Sequence, residues 1–306
     1  MTGRRLRLTT QNRNRYWKAL TSFRKKNGMP NGGSQHPALS QFPRTADLTS
    51  QSPKYWAKEK DRYLRQLLIL DIEALTGRPL LVYFAQLNQE ISASDPDDIA
   101  EIIQAIDSKE CDFFLQTPGG SVDACEKIIS VLKKKFDDYR VIVPSWAKSA
   151  GTVIALSSKS IILGINSELG PIDPHFKVEG NPVPCQVITT DPAFPVWFKT
   201  MADLAAKRMR QMASDILEHG MMKGKDASEI TGVISKISDT AGYMSHGAVI
   251  DYDEAKNLGL SVEYLEPDDD VWRRLWLLYC MYDYDTKVKK FGKVFEGNKF
   301  SIARPE

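Results

Sequence analysis

The stretch QTPGGS, residues 116–121, lies between a short apolar run at residues 111–115 and a run whose apolar residues recur at helical spacing, residues 122–132. The stretch WAKSAGT, residues 146–152, has similar surroundings, with a strand-like run before it and a helix-like run after it. This repeated order of strand, glycine turn and helix predicts an α/β fold. Helices that join consecutive strands make those strands parallel, so we expect both turns at the same carboxyl edge of one sheet, where α/β proteins bind ligands.

The two turns offer different chemistry. Gly119 and Gly120 carry no Cβ atom and let the backbone approach a ligand, and N–H groups at a helix start favour negative charge, so Gly120 is predicted to contribute to an oxyanion hole. Ser149 stands at a predicted strand-to-helix junction, where its hydroxyl and the N–H group of Ala150 would point to the same spot, as in a nucleophile elbow. Simpler interpretations exist, because Pro-Gly-Gly is often only a turn and such a Ser is often a helix N-cap. Two such turns on successive strands, with histidines downstream, favour an active site.

Four short motifs, in this order and spacing, are similar to those of a known family. They are TPGG at 117–120, KSAGT at 148–152, LGPIDP at 169–174 and DEAKNLGL at 253–260. With these motifs, residues 80–265 resemble the Clp/crotonase-fold serine peptidases, and most closely the serine dehydrogenase proteinase (SDH) family, relatives of signal peptide peptidase SppA and of ClpP.

The resemblance implies both a fold and a site. The implied fold is an α/β, ClpP/crotonase-like fold with repeated ββα units, to which this chain adds a basic N-terminal extension and a C-terminal helix. The serine of the Ser-Ala-Gly turn is the family's nucleophile, which implies Ser149 here, and the implied oxyanion hole consists of Gly120 and Ala150. We expect Gly119 and Ser121 to bind substrate.

A serine hydroxyl needs a general base, and two histidines are candidates. His175 lies near the position of the catalytic histidine of ClpP-like enzymes, and the neighbouring Asp173 is suited to orient it, although the family's usual residue after Asp-Pro is glutamine. His246 lies near the position of the third member of the ClpP-like triad, and the close family carries a histidine here. We keep both candidates and favour His246 slightly.

A Ser-Lys dyad, used by SppA-type relatives, is the alternative chemistry. Lys199 is the best-placed lysine for it, but it stands at the start of a predicted long helix, where a solvated charge is the favoured interpretation. Lys148 neighbours Ser149 in sequence and is expected to point away from it if strand alternation holds.

The composition is typical of a globular protein with one large domain and an appendage: 306 residues, 42% hydrophobic and 26% charged. No run of about 18 apolar residues and no secretory signal occur, so we expect no membrane span and a cytoplasmic location. The four cysteines form no Cys-x-x-Cys pair and are expected to be reduced thiols, and the four scattered histidines do not indicate zinc. No Walker loop or dinucleotide-binding turn occurs, so no cofactor is expected and activity should not require ATP.

The predicted domain organisation has three parts. Residues 1–53 form a basic, partly flexible extension, residues 54–267 the peptidase-like domain, and residues 268–306 an aromatic helix with a basic tail. Residues 1–65 carry 15 Lys and Arg against 3 Asp and Glu, which makes nucleic acid a possible but not favoured partner. We expect the aromatic helix to be covered by a partner protomer or by the N-terminal extension, and the tail at 287–293 to lie at the surface.

The remaining elements follow from periodicity and turn residues. We predict helices at 55–75, from 95 onward, at 195–217 and at 227–237, and strands at 79–84, 139–143, 160–163 and 259–264. The apolar stripe of the helix at 195–217 fits either a core or a subunit seam, and relatives in this superfamily form closed oligomers, so we expect a homo-oligomer.

These observations together predict a serine endopeptidase that acts on peptide or protein substrates. Two alternatives remain open. A crotonase-type acyl-CoA enzyme would use the same two N–H groups to stabilise an enolate and would not need Ser149. A catalytically degenerate scaffold would bind nucleic acid or protein through its basic N-terminal arm.

Overall fold

The computed structural model describes residues 52–238 and 248–306. The predictions for the N-terminal extension up to residue 51, and the prediction for His246, lie outside the described residues. In chain order the helices are α1 (Pro53–Lys58), α2 (Lys60–Thr76), α3 (Asp95–Ile103), α4 (Val122–Lys135), α5 (Ala150–Leu156), α6 (Cys185–Thr190), α7 (Val196–His219), α8 (Ala227–Ile237), α9 (Tyr252–Asn257) and α10 (Asp270–Lys289). The strands are β1 (Leu80–Ala85), β2 (Glu110–Gln116), β3 (Asp138–Val143), β4 (Trp146–Ala147), β5 (Ser160–Leu163), β6 (Glu168–Leu169), β7 (His175–Val178), β8 (Asn181–Pro184), β9 (Val262–Tyr264), β10 (Phe291–Glu296) and β11 (Ser301–Pro305).

A central sheet organises the described part of the chain, with strand order β11-β10-β1-β2-β3-β5-β9. The neighbours from β1 to β9 pair in parallel, whereas β10 pairs antiparallel with β1, and β11 antiparallel with β10. The predicted α/β class, with helices that connect parallel strands, is therefore confirmed, as is the C-terminal helix.

A second, shorter set of pairings lies beyond the ends of β2, β3 and β5. Strands β4 and β6 pair in parallel, and bridges from Thr117 to Ala147 and from Leu169 to Ile250 extend this pairing on both sides. The chain therefore passes from a long strand through a short one before it enters the next helix, as β3, β4 and α5 do. This is the ββα arrangement expected from the resemblance, and it brings the segments after β2 and β3 side by side.

Helices cover both faces of the central sheet, which explains why every residue of β1 is buried. On one face lies a large core that includes α4, whose apolar stripe is buried. On the other face α2 and α10 pack together in a second apolar cluster with Phe84 and Phe114 from the sheet. The predicted helix at 55–75 is two helices, α1 and α2, separated at Glu59.

The C-terminal part differs from the prediction. One face of the aromatic helix, α10, is covered by the chain itself, because Trp272, Leu275 and Tyr282 are buried against the sheet and α2. Trp276, Leu277 and Tyr284 of the same helix remain exposed among the described residues. The basic tail is also not entirely at the surface, since β10 joins the central sheet and Lys293 is only 5% exposed. The reason is that a carboxylate far away in sequence, Asp95, pairs with this lysine.

Two further expectations concern the described residues. No helix among them is long and apolar enough to cross a lipid bilayer. Cys111, Cys125, Cys185 and Cys280 are all free thiols, as predicted.

Candidate active site

The turn after β2 packs directly on the turn after β4. A Cβ atom built on Gly119 would lie 2.6 Å from the carbonyl oxygen of Lys148, 2.8 Å from Cβ of Ser149 and 3.1 Å from the nitrogen of Ala150. Gly119 has φ of 93°, a conformation that L side chains rarely adopt. Glycine is therefore required here for two reasons, the backbone conformation and the contact with Ser149.

Ser149 itself has an unusual backbone, with φ of 52° and ψ of −118°. A non-glycine residue in this region costs about 1–3 kcal/mol and is held there only by its surroundings. Ser149 precedes α5 at the N-cap position, yet its side chain makes no capping hydrogen bond. The simple N-cap interpretation thus does not explain this serine, and its half-buried hydroxyl makes no hydrogen bond among the described residues.

Two backbone N–H groups stand next to this contact in the sequence, that of Ala150 after Ser149 and that of Gly120 after Gly119. Ala150 is the first residue of α5, so its N–H group has no partner within the helix. Gly120 has φ of 144° and lies between Gly119 and Ser121, which both form hydrogen bonds with the backbone of Ile91. In the described part of the chain, neither the Gly120 nor the Ala150 N–H group donates a hydrogen bond, so both are available to a negatively charged oxygen.

Thr117 fastens the two turns to each other, and Thr152 fastens the second turn to the segment after β6. The Thr117 hydroxyl accepts a hydrogen bond from the Gly119 N–H at 3.2 Å, and the Thr117 carbonyl accepts one from the Lys148 N–H at 3.0 Å. Thr152 Oγ1 lies 2.9 Å from the Ala147 carbonyl oxygen and 2.8 Å from that of Gly170, and it accepts the Gly170 N–H at 3.1 Å. Sequence analysis assigned no role to either threonine, although both stand in the motifs that carry the resemblance.

Ser121, predicted to bind substrate, is the N-cap of α4. Its hydroxyl accepts a hydrogen bond from the Ala124 N–H at 3.3 Å, and its side chain is exposed. Cys125, one turn into α4, donates from Sγ to the carbonyl of Ala150 at 3.3 Å, and burial raises the pKa of its thiol. Cys125 therefore connects the first turn of α4 to the first residue of α5.

The lysine beside the serine is engaged elsewhere. Lys148 Nζ lies 2.8 Å from Glu168 Oε1 and 3.1 Å from the carbonyl oxygen of Ala248. Its side chain crosses Gly170, where an added Cβ atom would be 2.5 Å from Lys148 Cδ. Lys148 therefore holds the segment around β6 to the segment before Ser149.

Asp173 and His175 form a second group. His175 Nδ1 lies 3.0 Å from the carbonyl oxygen of Asp173, and Nε2 lies 3.7 Å from Asp173 Oδ2. Among the described residues, no hydrogen bond joins His175 to Ser149. His246 falls within residues 239–247, which the structure does not describe.

A cavity of about 530 Å³ adjoins Asp173, and its lining includes Cys185, Asp203 and Arg210. Burial, together with the Asp173 carboxylate and against the opposing effect of Arg210, raises the pKa of Cys185 to about 11. The other lysine candidate, Lys199, lies in the first turn of α7 and makes no ion pair with any described residue. No group of three or more His, Cys, Asp or Glu in the described ranges is suited to hold a metal ion.

Comparison with known proteins finds a matching family. A family model described as ClpP-like SDH-type serine proteinase matches residues 85–291. The chain is 34% identical over 182 residues to the uncharacterized protein MJ0137 of Methanocaldococcus jannaschii, covering 58% of this chain, and 28% identical over 202 residues to MJ1495 of the same organism, covering 61%. It spans 63% of the length of each of these relatives.

Solved structures similar to this chain include ClpP1 from Listeria monocytogenes. The identity is 19% and the TM-score 0.41, with 68% of this chain and 99% of that chain covered. A point mutant of the same protein gives 16% identity and a TM-score of 0.39, with 65% and 98% covered.

Proposed function

The chain belongs to the ClpP-like SDH-type serine proteinases, and on that premise we propose that it hydrolyses peptide bonds with Ser149 as the nucleophile. The observation that carries this proposal is the contact between Gly119 and Ser149. Ser149 is the only residue of the two turns that combines a nucleophilic side chain with a positive φ. The contact places it beside the turn that contains Gly120, and the N–H groups of Gly120 and Ala150 lack partners among the described residues.

The proposed reaction begins with attack by Ser149 Oγ on the carbonyl carbon of the substrate. The N–H groups of Gly120 and Ala150 stabilise the negative charge that develops on the carbonyl oxygen. As the carbon–nitrogen bond breaks, the proton from Ser149 passes through the general base to the leaving amine, and an acyl ester remains on Ser149. Water then hydrolyses this ester with the help of the same base.

The base in this proposal is His246 or His175, with His246 slightly favoured. The contacts of His175 with Asp173 support a role for the pair, because an aspartate next to a histidine fixes the ring orientation. Lys199 remains the alternative base, and its half-buried position at the start of α7 is equally consistent with a plain helix charge.

We further propose a homo-oligomeric, cytoplasmic endopeptidase that needs neither ATP nor a cofactor. The surface of α7 supports the oligomer, because Val196 is 80%, Trp197 65%, Met201 49% and Leu204 60% exposed. Large apolar side chains that are exposed together mark interaction surfaces. The four free thiols suit a reducing compartment.

The test is intact-mass analysis after treatment with a fluorophosphonate probe, which forms an oxygen–phosphorus bond with an activated serine and releases fluoride. We expect a single adduct on the wild type that is lost in Ser149→Ala and kept in Ser130→Ala, an exposed serine on α4. His175→Ala and His246→Ala are measured in parallel, and the variant that loses the adduct identifies the base. Absence of an adduct on folded wild type contradicts the proposal and favours the acyl-CoA or scaffold alternative.

A further inference from the structure

One residue of the loop between β1 and α3, Ile91, forms backbone hydrogen bonds with the Pro-Gly-Gly turn on both sides of Gly120. Ile91 donates its N–H to the Gly119 carbonyl at 2.7 Å, and its own carbonyl accepts the Ser121 N–H at 2.9 Å. A Cβ atom on Gly120, between these two bonds, would lie 2.4 Å from the nitrogen of Ile91. The direction of the Gly120 N–H group therefore depends on where the backbone of Ile91 lies.

Asp95 holds the residue that follows Ile91. Its carboxylate accepts the Ser92 N–H at 3.0 Å and the Ser92 hydroxyl at 2.7 Å. The same carboxylate accepts the Tyr83 hydroxyl at 2.7 Å from β1. Asp95 is 1% exposed, so this anchor lies in the protein interior and not at a flexible surface.

Lys293 of β10 completes the cluster from the opposite end of the sequence. Its Nζ lies 2.7 Å and 3.0 Å from the two carboxylate oxygens of Asp95 and 3.1 Å from Ser92 Oγ. The preceding residue, Gly292, accepts the Gln86 N–H at 3.0 Å, and a Cβ atom there would lie 2.7 Å from Gln89. Strand β10 thus contacts the loop at two successive residues.

A buried ion pair adds little net stability, because desolvation of the two charges offsets their attraction, but it restricts geometry strongly once formed. We propose that Lys293 and Asp95 are positioning residues for the oxyanion hole, acting through Ser92 and Ile91 on Gly120. This inference rests on the proposed function, in which the Gly120 N–H stabilises the oxyanion. Neither residue touches substrate.

The test compares Lys293→Met with Arg304→Met in the full chain. Arg304 lies on β11, which forms the C-terminal hairpin with β10, and it pairs with Asp98 of α3, the helix that also contains Asp95. Its side chain is 52% exposed and forms no hydrogen bond with Ile91 or Ser92 in the described part of the chain. Two quantities are measured: the rate of fluorophosphonate labelling, and the hydrogen exchange of a peptide that spans residues 117–124. We expect Lys293→Met to slow labelling about ten-fold and to accelerate exchange, and Arg304→Met to stay within about two-fold.

A third variant separates positioning from stability. Lys293→Met combined with Asp95→Asn leaves no uncompensated buried charge, so its urea midpoint should return towards that of the wild type. Labelling should nevertheless remain about ten-fold slow, because the charged contacts that hold Ser92 are gone. A double variant that regains both its midpoint and its labelling rate would show that the pair is only structural and would overturn the inference.

Hydrogen exchange keeps this inference distinct from the proposed function. If the wild type is not labelled, the proposed function fails, and exchange of residues 117–124 alone decides whether Lys293 orders the turn. Faster exchange in Lys293→Met but not in Arg304→Met supports the positioning role. Equal exchange in the two variants contradicts it.

Discussion

Gly119 lies against Ser149 so closely that a Cβ atom on the glycine would be only 2.8 Å from Cβ of the serine. The two residues follow different strands, β2 and β4, and a whole helix separates them in the chain. Their contact brings the turn that contains Gly120 next to the turn that contains Ser149 and Ala150. The candidate site is therefore an assembly of two turns, each of which would be unremarkable alone.

Gly119→Ala should abolish the site. The added methyl group meets the Lys148 carbonyl at 2.6 Å at a φ of 93°, so we expect labelling at least about 100-fold slower and a loss of about 1–3 kcal/mol in the free energy of unfolding. The control is Gly77→Ala, which has φ of 71° but no described atom within 4 Å of the added Cβ. It should lose about 1 kcal/mol and label normally, whereas equal labelling of both variants would contradict the role of the contact.

Thr152→Val should destabilise the protein while keeping the side-chain shape. Thr152 is 1% exposed, and its hydroxyl lies 2.8–3.1 Å from the Gly170 nitrogen and from the carbonyl oxygens of Ala147 and Gly170. The substitution removes this hydroxyl from all three groups. We expect a loss of about 1–3 kcal/mol in the free energy of unfolding, measured with urea. Thr152→Ser keeps the hydroxyl and should lose less. If Thr152→Val proves as stable as Thr152→Ser or more stable, the hydrogen bonds of the hydroxyl do not contribute the expected stability.

Glu73→Gln should change how stability depends on pH. Burial raises the pKa of Glu73 above its ordinary value of 4.5, against the opposing hydrogen bonds from Leu80 and Asn298. An acid with a raised folded-state pKa contributes stability below its ordinary pKa and loses that contribution as pH rises through the folded-state value. The variant does not titrate, so its free energy of unfolding should increase relative to wild type as pH rises through and above 4.5.

Asp61→Asn should change the pH dependence of the free energy of unfolding in the opposite direction to Glu73→Gln. The hydrogen bond from Lys289 lowers the pKa of Asp61 below 3.8, so its contribution is present above that pH and is lost as pH falls through the folded-state value. Urea denaturation over a pH series should therefore give opposite slopes for the two variants relative to wild type. Slopes of the same sign would contradict this assignment.

Cys280 should be the only rapidly reacting cysteine of the native protein. Cys111, Cys125 and Cys185 are buried, while Cys280 on α10 is exposed. Burial of part of its surface, with Asp283 nearby, raises the pKa of Cys280 above 9.0, so its rate should still be rising with pH at that value. A chromogenic disulfide reagent should titrate about one thiol quickly and the others only after unfolding. Cys280→Ser should remove the fast phase, and a fast phase that persists would contradict the assignment.

Much of the fold could be predicted because its signals are local. The apolar run of β5 and the turn residues around α8 predict Ser160–Leu163 and Ala227–Ile237 with the bounds that the structure has. The glycine turns were recognised for the same reason, since strand, turn and helix follow each other within a few residues. Ser149, Gly120 and Ala150 were candidates from those turns and from the resemblance, and their role remains a prediction.

The residues that sequence analysis missed depend on distant partners. Ile91 lies in a loop without a periodic pattern, and only the structure shows that its backbone forms hydrogen bonds with Gly119 and Ser121. The predicted basic tail includes a sheet strand, because Lys293 is neutralised by Asp95 and β10 aligns with β1. No pattern in the sequence near residue 293 indicates that Lys293 pairs with Asp95.

Side-chain spacing and glycine positions therefore specify the helices, the parallel strands and the two turns, because each of these depends on neighbours a few residues away. Only the tertiary structure decides that Gly119 touches Ser149, that Ile91 fixes Gly120, and that the C-terminal hairpin extends the sheet. These contacts join segments far apart in the chain, and their geometry follows from packing and from the need of buried charges for partners. The candidate site is a product of that packing.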